Sequence, residues 1–300
     1  MLGRHVTQSK DGICVQQWEY LAKTQGILVA RARRANGGAS LTPQERTQYL
    51  SLVQQLAWPA RTTLPGLCYL VSDLQQKSAS ATVADLVKAN WVLKQAQAMG
   101  RAGACLWFRP VLEKNAIPTI LAVHDASFAQ QPGHGSQSGY LALRPTGNVL
   151  KAARPEGVHL LDWASNKIHR VVRSTLAAEA ASASHAHDRG TYVRALLAEL
   201  LSPGDMAHWA VQQREVLYGL GTDCCSLAEH CNKRGASVNE KRVSLDIADV
   251  RAAIDSGDTL RWMPREEMPA DGLTKHLPTH QREPLRRICE RNVFRIVFFA

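Results

Sequence analysis

At 300 residues, with 45% hydrophobic and 21% charged residues, the chain is too apolar for a disordered polymer and long enough for two domains of ordinary size. Its 36 Lys and Arg outnumber 26 Asp and Glu, and the resulting charge of +10 favours a polyanionic partner, either nucleic acid or an anionic membrane surface. No apolar run approaches the roughly 18 residues of a membrane span, and the start from Met1 to Gly12 lacks the apolar core of a signal peptide, so an intracellular protein, cytoplasmic or nuclear and not secreted, is expected.

The first hundred residues read as mostly helical. Gly26 to Arg31 is apolar enough for a strand, and Asn36-Gly37-Gly38-Ala39-Ser40 is a turn. Thr42 followed by Pro43 marks a capped helix start, with Tyr49, Leu50, Val53 and Leu56 on one face. Two further helices are predicted over 67–74 and 83–99.

From Ile117 the pattern changes to short apolar runs between turns. Residues 117–124, 139–143 and 158–163 read as three strands of an antiparallel meander. The Ala-rich stretch 175–201 is a helix whose small residues allow close approach to a sheet. Strand 216–221, the helical pair 226–233 and 244–256, and strand 259–263 complete a βββαβαβ order, followed by a terminal helix over 270–276. The expected class is α/β with a mixed (α+β) sheet and helices on its faces. The tail carries Arg282, Arg286, Arg287, Arg291 and Arg295, then the apolar Val297-Phe298-Phe299; it reads either as a basic helix against a strand or, as is ordinary for such a run, as solvated charge.

The seven cysteines are odd in number and form no C-x-x-C pair, which favours reduced thiols over disulfides or a zinc site.

Four acids stand out, each with an ordinary explanation beside the chemical one. Asp125 ends the apolar run Ile120-Leu121-Ala122-Val123, where it is either a turn residue or a metal ligand on a rigid element. Glu179 lies in the first turns of the long helix, where exposed N–H groups favour negative charge. Capping does not explain it, because Ala177 and Ala178 occupy the positions a capping box needs after Ser174 or Thr175. Asp223 and Asp271 each have a helix-cap reading. Taken together, the four occupy places from which they could converge, and an all-oxygen donor set suits Mg²⁺ or Mn²⁺ better than zinc. Two such ions would activate a water and stabilise a leaving 3′ oxygen.

Several segments resemble the ribonuclease H domain of copia-type retrotransposon polyproteins. They are H-D-A-S-F at 124–128, S-Q-S-G-Y at 136–140, D-W-A-S-N-K at 162–167, V-R-S-T-L-A-A-E at 172–179, T-D-C-C-S-L at 222–227, E-K-R-V-S-L-D-I at 240–247 and W-M-P-R-E-E-M-P-A-D-G-L-T-K at 262–275. Upstream, Q-Q-W-E-Y-L at 16–21, L-T-P-Q-E-R-T-Q-Y at 41–49, Q-L-A-W at 55–58 and L-C-Y-L-V-S-D-L-Q at 67–75 are similar to the region after the polymerase palm of the same polyproteins. The resemblance implies a thumb or connection remnant over 1–112, a ribonuclease H-like domain over 113–278 with a five-stranded mixed sheet, and a basic tail over 279–300. It implies hydrolysis of the RNA strand of RNA–DNA hybrids, with Asp125, Glu179, Asp223 and Asp271 as catalytic ligands of two Mg²⁺ or Mn²⁺ ions. No Asp-Asp dipeptide occurs, so the polymerase site is absent and a C-terminal fragment of a longer reverse transcriptase is expected, with upstream domains as partners. Ala177 and Ala180 depart from the family, which often has an acid and an aromatic there.

Lys167, Arg170 and Arg173 recur every third position before the long helix and suit phosphate contact, or form an exposed basic loop. Ser127 suits orienting a ligand or touching the minor groove. Trp163 and Trp262 read as core. Three other classes remain open: a binding module whose acids hold no metal, a structural remnant, and an integrase-like strand-transfer enzyme, although the zinc spacing of integrases is missing.

Overall fold

The computed structural model describes residues 3–110, 117–146, 155–203, 215–233, 240–276 and 283–295. The chain divides into two compact units, Met1–Arg109 and Pro110–Ala300. Arg282 and Val297-Phe298-Phe299 of the sequence reading lie outside the described residues.

The first unit is mostly helical around a small antiparallel sheet. Strands β1 (His5–Ser9) and β2 (Gly12–Gln16) form a hairpin, and β3 (Leu106–Phe108) pairs with β2. The helices are α1 (Trp18–Lys23), α2 (Arg31–Ala35), α3 (Pro43–Thr62), α4 (Cys68–Gln76) and α5 (Val83–Arg101). At the start of α3, Thr42 Oγ1 accepts the Glu45 N–H at 3.2 Å and the Glu45 carboxylate accepts the Thr42 N–H at 2.8 Å, with Pro43 in the first turn. Tyr49, Val53 and Leu56 are buried, while Leu50, turned about 100° from Tyr49, sits at the exposed edge.

The strand expected at 26–31 does not form. Leu28 is 96% exposed, and the chain enters α2 at Arg31. Ile27 donates its N–H to Asn90 Oδ1 at 2.8 Å and accepts from Asn90 Nδ2 at 2.9 Å. One side-chain amide thus satisfies the backbone groups that a neighbouring strand would have paired.

The second unit has the expected mixed α/β architecture. Strands β4 (Thr119–Gln131), β5 (Gly135–Pro145) and β6 (Pro155–Ile168) form the antiparallel meander, followed by α6 (Thr175–Leu201). Then come β7 (Leu217–Thr222), α7 (Cys225–Asn232), α8 (Lys241–Asp255), β8 (Thr259–Trp262), α9 (Asp271–Thr274), α10 (Glu283–Arg291) and β9 (Val293–Arg295). The sheet order is β8-β7-β4-β5-β6-β9, with β7 parallel to both β4 and β8. The sheet has six strands among the described residues, not five. The sixth, β9, comes from the stretch read as a basic tail, where Leu285, Ile288 and Phe294 are buried and Arg287 and Arg295 pair with Glu267.

Strand β4 is central and buried from Thr119 to Ser127, which accounts for its continuous apolar run. On one face α6 presents Ala177, Ala180, Ala183 and Ala186 to Ile120, Ala122, Tyr140 and Ala142. A Cβ at Gly190 would lie 2.7 Å from the Tyr218 ring and 3.0 Å from Ala122 Cβ, so glycine permits the close approach. Ser174 caps the helix by accepting the Ala177 N–H at 3.1 Å. The cysteines are all free thiols, and no described helix is long and apolar enough to cross a membrane.

Candidate metal centre

Strands β4 and β7 run parallel with Val123 opposite Gly221, so the carboxyl end of β7 lies beside the middle of β4. Asp125 stands two residues beyond that pair in β4, and Asp223 directly follows β7. Asp271 opens α9, which reaches the same place because Gly139, opposite Asp125 on β5, has no side chain: a Cβ there would lie 2.7 Å from Leu273 Cβ. One carboxylate oxygen from each of Asp125, Asp223 and Asp271 lies within 4.8 Å of the other two.

Local bonds hold the three acids. Ser127 Oγ donates to the Thr274 carbonyl at 3.0 Å, Thr274 Oγ1 donates to Asp125 Oδ2, and Trp262 Nε1 donates to the Asp223 carbonyl at 2.9 Å. Lys275 Nζ is 2.6 Å from Asp271 Oδ1 and 3.7 Å from Asp125 Oδ2.

Glu179 stands beside this group rather than in it. Alternation along β4 sends Ile120, Ala122 and His124 toward α6, and Asp125 toward Thr274 and Lys275. Glu179 approaches from the α6 side, only 4% exposed, and accepts the Ala126 N–H. Its Oε2 is buried without a hydrogen-bond partner and lies 3.6 Å from His124 Nδ1. Both nitrogens of His124 are likewise buried and unpartnered.

No protein-family model matches the chain, and no curated protein matches it. Solved structures that it resembles include ribonucleases H and a foamy viral protease-reverse transcriptase. The N-terminal RNase H domain of a Mycobacterium tuberculosis protein is 13% identical over 56% of this chain and 97% of its own, with a TM-score of 0.36. RNase H1 of Halobacterium salinarum NRC-1 is 14% identical over 56% of this chain and 98% of its own, with a TM-score of 0.33. The foamy viral protease-reverse transcriptase in complex with RNA/DNA hybrid is 12% identical over 52% of this chain and 18% of its own, with a TM-score of 0.30.

Removal from water raises the proton affinity of Glu179, Asp223 and Asp271. Burial pushes Glu179 well above the usual carboxylate range, and the charges of Asp125 and Asp223 push it further. Burial and then the Asp271 charge raise Asp223 to about 6; burial and then Asp125 raise Asp271 to about 6. Burial alone lowers His124 to about 3, so its ring is neutral at pH 7. The contact between His124 and Glu179 is therefore not an ion pair. A hard divalent cation fits this donor set: three carboxylates within reach of one ion, a fourth carboxylate oxygen with nothing to bond, and mutual repulsion that a cation relieves.

The other residues singled out from the sequence are dispersed. Ser127 is buried, and its hydroxyl donates to the Thr274 carbonyl. Lys167 is exposed on β6, and Arg173 is exposed just before the Ser174 cap. Arg170 is bonded to Asp246 of α8, with Nη1 to Oδ1 at 3.2 Å. Trp163 is buried, as expected, and Trp262 is partly buried. Sequence reasoning missed Thr274, Lys275 and the His124 contact. The spacing Asp271-x-x-x-Lys275 was the available signal, since residues four apart on a helical turn meet.

Proposed function

We propose that the chain is a divalent-metal-dependent endonuclease that hydrolyses the RNA strand of RNA–DNA hybrids, and that it derives from the C-terminal part of a copia-type retrotransposon reverse transcriptase. The observation that carries the reading is the meeting of Asp125, Asp223 and Asp271 within 4.8 Å beside the unpartnered Glu179 oxygen. Motifs spread over 124–275 support the family, and the β8-β7-β4-β5-β6 strand order with α6 across β4 supports the fold it implies.

Asp125, Asp223 and Asp271 would hold Mg²⁺ or Mn²⁺ together with Glu179, and two ions so held supply an activated water and neutralise charge on the leaving 3′ oxygen. The chain's own contribution is placement. Asp125 is fixed on the central strand, the Ser127 and Thr274 bonds lock the Asp271 turn to it, and the Trp262 indole fixes the Asp223 backbone. Exposed Lys167 and Arg173 suit the phosphates of a hybrid, and the +10 charge favours its approach.

A second reading is a nucleic-acid-binding or structural remnant without turnover. Lys275 favours it, because its ammonium already neutralises part of the acidic group. Incubating the full chain with a labelled RNA–DNA hybrid separates the two. The nuclease reading expects RNA cleavage with Mg²⁺ or Mn²⁺ that chelator, Asp125→Asn or Glu179→Gln abolishes. Intact RNA in every lane, with tight salt-sensitive binding, would establish the remnant.

A further inference from the structure

We propose that Lys275 is a built-in counter-cation of the acidic centre, which a divalent ion must displace in order to bind. The inference rests on the metal-centre reading above and adds a competitor drawn from the chain itself.

The lysine is one turn beyond Asp271, and only 17% of its side chain is exposed. Its Nζ lies 2.6 Å from Asp271 Oδ1 and 3.7 Å from Asp125 Oδ2, bridging two of the three acids that converge. An ammonium among those oxygens uses lone pairs that a metal ion needs. Arg265 is a poor substitute: its Nε is 3.9 Å from Asp271 Oδ2 and its side chain is 70% exposed. The four-carbon stem of Lys275 is long enough for the ammonium to leave without moving the backbone that carries Asp271. Two cations that exclude each other from one set of ligands are negatively coupled, and removal of one strengthens the other. The Glu179 oxygen stays unpartnered with the ammonium in place, so the lysine satisfies only part of the donor set.

The coupling has two readouts that need no substrate. In metal-free protein, Lys275→Met leaves Asp271 and Asp125 facing each other without the ammonium, so the melting temperature falls. In Mn²⁺ titrations followed by calorimetry, the same variant binds on the order of tenfold more tightly, and the Mn²⁺-induced rise in melting temperature grows. Lys275→Arg, which keeps the charge, binds Mn²⁺ within about twofold of the parent, and Lys275→Gln serves if the Met variant does not fold. Equal Mn²⁺ affinity in parent and Lys275→Met would overturn the competition while leaving the metal centre intact. Weaker binding in that variant would overturn it too, showing that the lysine recruits rather than excludes the ion. If neither protein binds Mn²⁺, the metal-centre reading fails and the competition with it.

Discussion

Ser127 and Thr274, 147 residues apart in the chain, are joined by a 3.0 Å hydrogen bond from the serine hydroxyl to the threonine carbonyl, while the threonine hydroxyl bonds Asp125. The two bonds close a loop between the central strand and the turn that carries Asp271, so the distance between two acids is set by side chains that hold no metal themselves.

Ser127→Ala should remove one buried bond worth about 1 kcal/mol and leave the Thr274 carbonyl short of a partner. The expected result is a melting temperature lower by about 2–4 °C and weaker Mn²⁺ binding in calorimetry. A variant that melts lower yet binds Mn²⁺ unchanged would show that the bond supports the fold alone.

Glu179→Gln removes a carboxyl group that burial and two neighbouring acids oppose. Metal-free protein should melt at a higher temperature, whereas protection by Mn²⁺ should shrink and hybrid cleavage should fall by about a hundredfold or more, the scale for losing one preorganised electrostatic group. Opposite signs in the two melting experiments separate a functional carboxylate from a structural one.

The raised acids also fix the direction of a pH effect. Asp223 and Asp271 protonate at about 6 when folded, against 3.8 for an ordinary aspartate, so between these values the folded chain binds more protons than the unfolded chain. Metal-free stability should therefore rise as pH falls from 7 toward 5, with most of the gain present by pH 4. Saturating Mn²⁺ at pH 7 should abolish the advantage of acidification, and Mn²⁺ affinity should drop below pH 6. Thermal melts across pH, with and without the ion, check both.

Gly139→Ala places a Cβ 2.7 Å from Leu273 Cβ and 3.0 Å from Thr274 Cγ2. Relief requires α9 to move off the sheet, at a cost of about 1–3 kcal/mol. Because Asp271 and Lys275 ride on that segment, the variant should lose Mn²⁺ affinity as well as stability. Chemical denaturation and calorimetry on the same preparation test the pair of effects.

Asn90→Ala acts in the other unit. It strips Ile27 of two hydrogen bonds and should lower the stability of residues 1–109 by about 1–3 kcal/mol without changing Mn²⁺ binding. A shift in Mn²⁺ affinity would disprove that separation.

Local pattern alone made much of this molecule legible. The meander, the 27-residue helix from Thr175 to Leu201, and the Thr42–Pro43 start of α3 follow from short apolar runs between turns, alanine content and capping, which are properties of neighbours in sequence. Gly26 to Arg31 misled because a strand needs a partner, and the partner was one amide from Asn90, 63 residues away. Strand β9 was obscured by a run of arginines, because its pairing with Pro155–Gly157 depends on where β6 begins and not on composition.

The sequence by itself determined which acids were available and the elements that carry them. Only tertiary structure decided their relations: Asp125, Asp223 and Asp271 gather within one ion's reach, Glu179 stands apart beside His124, and Lys275 enters the group. The reason is physical. Alternation on a strand and spacing on a helix set the direction of a side chain, but the distance between two charges depends on how closely their elements pack, and here that was decided by the bare backbone of Gly139 and the small residues of α6.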